Sequence, residues 1–200
     1  MTVHPDEFTR TPTLAGQHVR LEALTADHAA GVLAAADDDE VFAWQAFERP
    51  RSLPDAEALV EFYLAKPEAH AWAQVDVASD EVAGLTTFYD VDPGLRTVAI
   101  GWTWIARRHW RTGLNTEAKL LLLRRAFDEL GCVRVVWHVD VLNERSQTAV
   151  SRLGAQREGV LRKHKRRRDG SWRDTVTFSM LDDEWPAARA ALEARLAAHA

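Results

Sequence analysis

A short arginine-rich loop is the segment of this sequence whose residues are best suited to bind a ligand. Residues 106–113 contain Arg107, Arg108, Arg111 and Gly113, and they precede an apolar-periodic stretch that predicts a helix. The first N–H groups of a helix have no partner within it and carry a partial positive charge, so they bind anions, and arginines add formal charge. Neither G-x-x-x-x-G-K-[ST] nor G-x-G-x-x-G occurs here. The loop therefore predicts a phosphate site of another kind, with an ordinary basic helix cap as the alternative.

Two further polar residues, Asn143 and Ser146, follow a continuous apolar run at residues 133–139 that predicts a buried strand. They are three residues apart, at the start of a short predicted helix. Because Asn is a common N-cap residue, position alone predicts a cap of this helix at Asn143.

An alternation of strands and helices positions these segments. Period-two stretches between turn residues predict strands, and apolar residues three or four apart predict helices. The predicted strands cover residues 18–24, 71–78, 82–91, 97–105, 133–139, 156–164 and 172–181. The predicted helices follow Thr25 and Ser52, cover residues 114–130 and 146–153, and begin near Pro186. The acidic run at residues 37–40 predicts a solvated loop or helix end.

Length and composition are those of an ordinary globular protein. The chain has 200 residues, of which 46% are hydrophobic and 28% charged, and this suits one domain with a buried core. We expect residues 1–13 to be a flexible lead-in and residues 14–200 to form the domain. The polar start and the lack of any run of about eighteen apolar residues predict a cytoplasmic protein. The single cysteine, Cys132, excludes an internal disulfide, and no histidine spacing predicts a metal site.

Formal charge is distributed unevenly along the chain. The net charge of −5 is made of −12 in residues 1–100 and +7 in residues 101–200. A basic half within an acidic protein indicates an anionic ligand rather than general coating of nucleic acid. Much of the excess lies in residues 162–168, which hold six cations in seven residues. This run predicts contact with RNA, with a phosphate or with an acidic peptide, or else a solvated hairpin tip.

Several short motifs, taken in order, resemble the GNAT superfamily of acetyl-CoA-dependent N-acetyltransferases. Within it, the chain is most similar to the RimJ/RimL branch of ribosomal-protein N-terminal acetyltransferases. The matching segments are residues 100–102, 110–118, 143–146, 153–155, 158–159 and 172–174. The resemblance implies an α+β fold with a mixed, mostly antiparallel central sheet of about seven strands flanked by helices.

The resemblance also implies a site for acetyl-CoA as cosubstrate. The predicted strand at residues 97–105 lends backbone groups to the pantetheine arm, and the loop after it holds the pyrophosphate. The family pattern Gln/Arg-x-x-Gly-x-Gly/Ala has Trp110 and Asn115 at its ends here, while Gly113 is kept. The residues assigned to the cofactor on this ground are Trp104, Ile105, Arg108, Trp110, Arg111, Thr112, Gly113, Leu114, Asn115, Asn143 and Ser146.

The implied chemistry is direct attack of a primary amine on the thioester, without an acyl-enzyme. Asn143 positions the pantetheine and Ser146 supports the departing thiolate, because Val150 stands where many family members carry a tyrosine acid. The glutamate considered as base in this branch is replaced by Lys165. The residues that stay open as bases are His138, Asp140, Glu158 and His164. A site without a strong base favours α-amines, since their pKa of about 8 leaves a fraction neutral at pH 7.

The acceptor is left open between a protein N-terminal α-amine and a small-molecule amine. Trp102 and Trp44 are candidates to line its pocket, because indole rings stack on flat groups. One alternative is detoxification of an aminoacyl-nucleotide antibiotic; another is a non-catalytic GNAT-fold protein that binds RNA or the ribosome through residues 162–168. The acidic half borders the acceptor side in the family, which is a hint toward a cationic amine. A homodimer is a further expectation, and no membrane or specific DNA partner is predicted.

Overall fold

The computed structural model describes residues 4–198, and its core is one mixed sheet of eight strands. The strands are β1 (Leu14–Ala15), β2 (Val19–Ala23), β3 (His70–Asp76), β4 (Glu81–Asp92), β5 (Thr97–Ile105), β6 (Arg134–Asp140), β7 (Gln156–Arg166) and β8 (Trp172–Leu181). They lie side by side in the order β1-β2-β3-β4-β5-β6-β8-β7.

Two neighbouring strands in the middle of the sheet separate and leave a gap. Strands β2 to β5 form an antiparallel meander, and β6, β8 and β7 are also antiparallel to each other. Only β5 and β6 run parallel, and they share three residue pairs, from Thr97–Arg134 to Ala99–Val136. Because the pairing ends there, the two strands diverge toward their C-terminal ends and leave a gap between them.

Helices cover both faces of the sheet. In the described residues they are α1 (Ala29–Ala35), α2 (Asp39–Phe42), α3 (Leu53–Leu64), α4 (Gly113–Arg124), α5 (Glu144–Ser151) and α6 (Trp185–Ala197). Helices α4, α5 and α6 pack on one face around Leu122, Val150 and Leu192, which we call the α4 face. Helices α1 and α3 pack on the other, around Val32 and Tyr63, which we call the α3 face.

A buried carboxylate joins α4 to the edge of the sheet. Glu117 is 7% exposed, and its oxygens accept the backbone N–H groups of Gln17, His18 and Val19 at 2.9, 2.6 and 2.9 Å. Hydrogen bonds to an ionised acceptor are stronger than neutral ones, so this contact fixes the helix against the start of β2. The sequence analysis did not identify this role.

The α+β sheet flanked by helices is confirmed. The strands predicted at residues 97–105 and 172–181 have the predicted bounds, and Ser52 begins α3 with a reciprocal capping box to Asp55. The sheet has eight strands rather than about seven because β1 pairs with β2 over only two residues, too few for a periodic pattern.

Two segments make contacts that the sequence does not predict. The acidic run at residues 37–40 is an exposed helix end, one of the two predicted alternatives, because Asp38 caps α2; in addition, Asp37, Asp38 and Glu40 pair with arginines of the loop after β5. In the lead-in, residues 4–13 contain a 3-10 turn at Pro5–Thr9 whose Phe8 is buried in the core, while residues 1–3 lie outside the described residues. The division of the chain at residue 13 stays a prediction.

The remaining structural expectations concern membranes and the thiol. Within residues 4–198, no helix combines the length and apolar character needed to cross a bilayer. The thiol of Cys132 is buried, and burial raises its pKa to about 12, so it is an inert packing group.

Candidate active site

A cleft of about 1950 Å³ occupies the gap between β5 and β6. On the α4 face it is lined by Thr112 and Asn115 at the start of α4 and by Asn143 at the start of α5. On the α3 face it is lined by His138 of β6 and Lys165 of β7. The cleft therefore passes through the sheet, and a ligand bound from one face meets a ligand bound from the other in the gap.

Strand β5 is irregular where it borders the cleft. Trp102 has a φ of 46°, and the register with β4 shifts between Leu85 and Thr87. The carbonyl oxygen of each residue from Gly101 to Ile105 accepts a hydrogen bond from a side chain. The donors, in that order, are Thr87, Tyr63, Gln45, Gln74 and Trp110. The backbone of this segment, which includes Trp104 and Ile105, is thus held in one orientation by contacts that the sequence analysis did not foresee.

The loop before α4 has the geometry of an anion site at its C-terminal end. The Thr112 hydroxyl accepts the N–H of Leu114 at 3.3 Å and caps the helix. A Cβ on Gly113 would lie 3.0 Å from the His18 ring, so any larger residue at this position would have to displace that side chain. Leu114 is 2% exposed and packs in the core, whereas Asn115 lines the cleft.

Two of the three loop arginines are engaged elsewhere. Arg107 pairs with Asp38 at 3.5 Å and with Glu40. Arg108 lies 3.6 Å from both Asp37 and Glu81 and does not line the cleft. This placement argues against the predicted cofactor role of Arg108, because its guanidinium neutralises the acidic run instead.

Different cations occupy the α4 face of the cleft. Arg111 lines it and has a φ of 64°. Arg195 of α6 donates to the Arg152 carbonyl at 2.8 Å and to the Thr116 hydroxyl at 3.5 Å, which places it between α5 and α4. Among the described residues, Arg111, Arg152 and Arg195 form no ion pair. The sequence analysis missed the last two because only the packing of α6 brings them to the loop.

Trp110 serves as part of the cleft wall. Its indole N–H donates to the Ile105 carbonyl at 3.1 Å, and the Arg145 guanidinium lies 3.8 Å from its ring centre. Arg107 lies over the same ring at 5.0 Å, and Glu40 pairs with both arginines. The aromatic ring at this position therefore anchors the loop to β5 and α5 through packing and cation–π contact.

Asn143 and Ser146 lie together at the start of α5. The Asn143 side-chain oxygen accepts the Ser146 N–H at 3.0 Å, which is the capping role considered in the sequence analysis. Both residues line the cleft, and within the described chain the Ser146 hydroxyl has no hydrogen-bond partner. The hydroxyl and the Asn143 amide N–H groups are thus free to donate to a ligand.

The acidic candidates for a general base are committed to arginines. Glu158 forms a bidentate pair with Arg134 at 2.6 Å, which lowers its pKa to about 2. Burial opposes ionisation of Asp140, but hydrogen bonds from Arg167 and from the Leu142 backbone hold its pKa below the usual range. Neither carboxylate is basic enough to take a proton from an ammonium group near neutral pH.

The two histidine candidates lie near each other on the α3 face. The rings of His138 and His164 are 5.9 Å apart, and His138 Nδ1 lies 3.0 Å from the Tyr89 hydroxyl. Burial, followed by the charge of Lys165, lowers the pKa of both imidazoles, so both are neutral at pH 7. Only His138 lines the cleft.

The aromatic residues assigned to the acceptor also face this side. Trp102 stacks on Tyr89 with ring centres 5.3 Å apart and planes 7° apart, and Trp44 is 38% exposed in the loop after α2. Both tryptophans line the cleft. Arg168 of the β7–β8 hairpin donates to the carbonyls of Phe42 and Phe47 and joins this loop to the hairpin.

A buried lysine lies in the cleft wall. Lys119 of α4 donates to the hydroxyls of Thr103 at 2.7 Å and Thr86 at 3.1 Å. No carboxylate pairs with it among residues 4–198, and burial lowers its pKa to about 7. A lysine in an apolar helix–sheet interface is costly without an acid, so it is a feature that packing alone does not explain.

The fold and the cleft together define an acyl-transferase of the GNAT type, and sequence comparison agrees. Residues 18–156 match the acetyltransferase (GNAT) domain family, and the chain belongs to that family. It is an acetyl-CoA-dependent N-acetyltransferase, as its family membership and its relatives indicate. In residues 4–198, no three histidine, cysteine or acidic residues are grouped as metal ligands.

The chain is similar to three further proteins over nearly its whole length. It is 26% identical to an uncharacterized N-acetyltransferase, YoaA, of Bacillus subtilis (strain 168), over 85% of this chain and 97% of YoaA. A GCN5-related N-acetyltransferase from Brucella melitensis superposes with a TM-score of 0.89 at 31% identity, over 94% of this chain and 86% of the other. Mycobacterium smegmatis RimJ in complex with CoA-disulfide has a TM-score of 0.78 at 21% identity, over 92% and 94%, and shares the fold.

Proposed function

We propose that this protein transfers the acetyl group of acetyl-CoA to a primary α-amine by direct attack. The observation that carries the proposal is the segment 101–105 of β5, whose carbonyls are all held by side chains beside the gap between β5 and β6. When the carbonyl oxygens are held in this way, the orientation of the backbone N–H groups is fixed as well. Such N–H groups can donate to the thioester carbonyl and polarise it without reorganising during the reaction. The RimJ/RimL branch assignment is part of this proposal and rests on the sequence motifs and on the fold shared with RimJ.

The cofactor fits the α4 face of the cleft. The start of α4, with Thr112, Gly113 and Asn115, offers free backbone N–H groups to the pyrophosphate. Arg111, Arg152 and Arg195 supply charge for the remaining phosphate, and Trp104 and Ile105 face the pantetheine arm. Asn143 and Ser146 donate hydrogen bonds at the sulfur end of this arm.

The reaction needs little acid catalysis. The neutral amine attacks the acetyl carbonyl carbon, the C–N bond forms, and the C–S bond breaks with its electron pair leaving on sulfur. The ammonium proton passes to solvent or to the thiolate. A thiol pKa of about 8.5 makes the thiolate a good leaving group, so a hydrogen bond from Ser146 suffices to support it.

The low basicity of the acidic candidates favours an α-amine over a lysine side chain as the acceptor. Since Asp140 and Glu158 are held by arginines, neither of the two acidic candidates is a strong base. An α-amine with a pKa of 7.7–8.0 is roughly 10–20% neutral at pH 7, whereas a lysine amine is disfavoured by about 3.4 kcal/mol more. The acceptor is therefore an amine that is already partly neutral.

The proposal is tested by thiol release from acetyl-CoA with peptide N-termini, polyamines, aminoglycosides and aminoacyl-nucleotides as acceptors, together with calorimetric binding of acetyl-CoA. We expect binding and faster release with α-amines than with lysine side chains. Equal pH–rate profiles for the two kinds of amine would exclude the α-amine preference, and no heat with acetyl-CoA would exclude the function.

Ser146→Ala tests the role of the hydroxyl. We expect kcat to fall by about tenfold or more with KM for acetyl-CoA little changed, because the hydrogen bond acts on developing thiolate charge. Ser151→Ala is the matched control, since Ser151 is exposed on the same helix and does not line the cleft. An unchanged kcat in Ser146→Ala would remove this residue from the mechanism.

A further inference from the structure

The cations of the cleft fall into two groups on opposite faces of the sheet. Eleven lysine or arginine residues and four acids line the cleft as a whole. Arg111, Arg152 and Arg195 lie on the α4 face, where the phosphates of acetyl-CoA fit. Lys165 and Arg173 belong to β7 and β8, whose residues in register at this point face the α3 side. Phosphates bound at the start of α4 lie on the other face and cannot neutralise Lys165 and Arg173. These two cations therefore lie on the side where the second substrate, the amine, would bind.

Lys165 is the unpaired cation of the second group. It lies opposite Arg173 in the β7–β8 pair, and Arg173 is directed to Asp140 at 3.8 Å and to the His138 carbonyl at 3.1 Å. Asp140 is shared with Arg167, which binds it through two nitrogens at 2.7 and 2.9 Å. No carboxylate within salt-bridge distance of Lys165 occurs in the described chain.

The surrounding charge disfavours a second cation at this place. Burial and the charge of Arg173 lower the pKa of Lys165, while Asp90 acts in the opposite direction from outside the cleft lining. Glu48 lines the cleft from the loop across from the hairpin, and Asp169 is bound to Ser171 at the hairpin tip. The acids in reach are thus fewer than the cations, so an anion would be stabilised here.

His138 adds a hydrogen-bond donor beside Lys165. The Tyr89 phenol is protonated, because burial raises its pKa far above neutral, and within the described residues its hydroxyl has one hydrogen-bond partner, His138 Nδ1 at 3.0 Å. A buried hydroxyl without an acceptor is costly, so Tyr89 donates to Nδ1 and the imidazole proton lies on Nε2. In this tautomer His138 presents N–H rather than a lone pair to the cleft.

We infer that Lys165 and His138 form a recognition site for an anionic group, a carboxylate or a phosphate, carried by the amine acceptor a few bonds from its nitrogen. Lys165 is then a specificity-determining residue. The acceptor class is an α-amine with a neighbouring anion whose flat part rests on Trp102, rather than a polyamine or an aminoglycoside. The inference rests on the proposed acetyl transfer and reverses the hint toward a cationic acceptor drawn from the acidic half.

Matched acceptor pairs test the anion directly. The carboxylate pair is alanyl-phenylalanine and its C-terminal amide, whose α-amines differ little in basicity because the altered group is remote. The phosphate pair is O-phosphoethanolamine and ethanolamine, with rates compared per neutral amine. For at least one pair we expect kcat/KM to be about two- to fivefold higher for the anionic member, as one additional ion pair with a cation on the exposed strand β7 provides.

Substitutions of Lys165 test whether this residue causes the preference for the anionic acceptor. Lys165→Met should abolish the preference, and Lys165→Glu should reverse it in favour of the neutral member. Lys163→Glu is the matched control, because Lys163 is exposed on the same strand as Lys165 but, unlike Lys165, does not line the cleft. It should retain the preference.

A binding measurement separates this inference from the proposed function. Calorimetry of each acceptor is performed with CoA present, so that it does not require turnover. Tighter binding of the anionic member, lost in Lys165→Met, supports the anion site even if no acetyl transfer is seen. Equal kcat/KM and equal binding of both members, or an unchanged preference in Lys165→Glu, overturns the inference while leaving acetyl transfer intact.

Discussion

The two basic segments of this protein divide their charge in the same way but serve opposite faces of the sheet. In the loop at residues 106–113, Arg107 and Arg108 pair with the acidic run at residues 37–40, and of the three loop arginines Arg111 alone lines the cleft without an ion pair in the described chain. In the hairpin at residues 162–168, Arg167 secures Asp140 and Arg168 secures the backbone at Phe42 and Phe47, while Lys165 has no carboxylate. The count of charges in a segment therefore says little about ligands until the internal partners are known.

The largest expected effect comes from removing the acid that holds the hairpin. Asp140→Asn leaves Arg167 and the largely buried Arg173 without their common carboxylate, and breaking a buried ion pair costs about 3–5 kcal/mol. Chemical denaturation measures the change. Because the native pKa of Asp140 is lowered, the wild-type protein should keep this stabilisation above the unfolded pKa of about 4 and lose it as pH falls. Asp169→Asn, an exposed acid of the same hairpin, should change stability by less than about 0.5 kcal/mol.

Replacement of Lys119, a buried cation outside both basic segments, should change stability by a smaller amount and in the opposite direction. Lys119→Met removes a buried amine whose pKa is lowered from 10.5 to about 7, and we expect stabilisation on the order of 3 kcal/mol at pH 7 after the loss of its bonds to Thr86 and Thr103. The unfolded chain binds the proton more tightly than the folded one, so the gain should shrink as pH rises from 7 toward 10.5. Lys163→Met, on the exposed hairpin strand, serves as control. A gain that is independent of pH would show that Lys119 is charged when folded.

The smallest expected effect is on the affinity for acetyl-CoA, and it distinguishes Arg111 from Arg108 in the loop at residues 106–113. Arg111→Ala should raise the Kd for acetyl-CoA about tenfold, or about 1.4 kcal/mol, because it removes a cation that faces the cofactor side of the cleft. Arg108→Ala should change this Kd less than twofold, since Arg108 is paired with Asp37 and Glu81. Calorimetry on both variants measures the difference, and equal losses would mean that the two arginines act by general charge alone.

Local sequence was sufficient for the parts of the site that depend on consecutive residues. The apolar period from Leu114 predicted a helix that begins directly after the basic loop, and Asn143 capping α5 was one of the two explanations offered. The strand at residues 97–105 was predicted with its bounds. Its bulge at Trp102 and the five side chains that hold its carbonyls were not predicted, because those donors come from five other elements or loops.

The sequence by itself therefore determined the family, the order of elements and the segment at which the cofactor site is proposed. These follow from local periodicity and from motifs whose residues are close in the chain. Only the tertiary structure decided which cations are free, because Arg108 and Arg167 meet their acids across 71 and 27 residues, whereas Lys165 meets none. Ion pairing depends on distances of a few ångströms between remote segments, and such distances exist only after the helices and the hairpin have packed on the sheet.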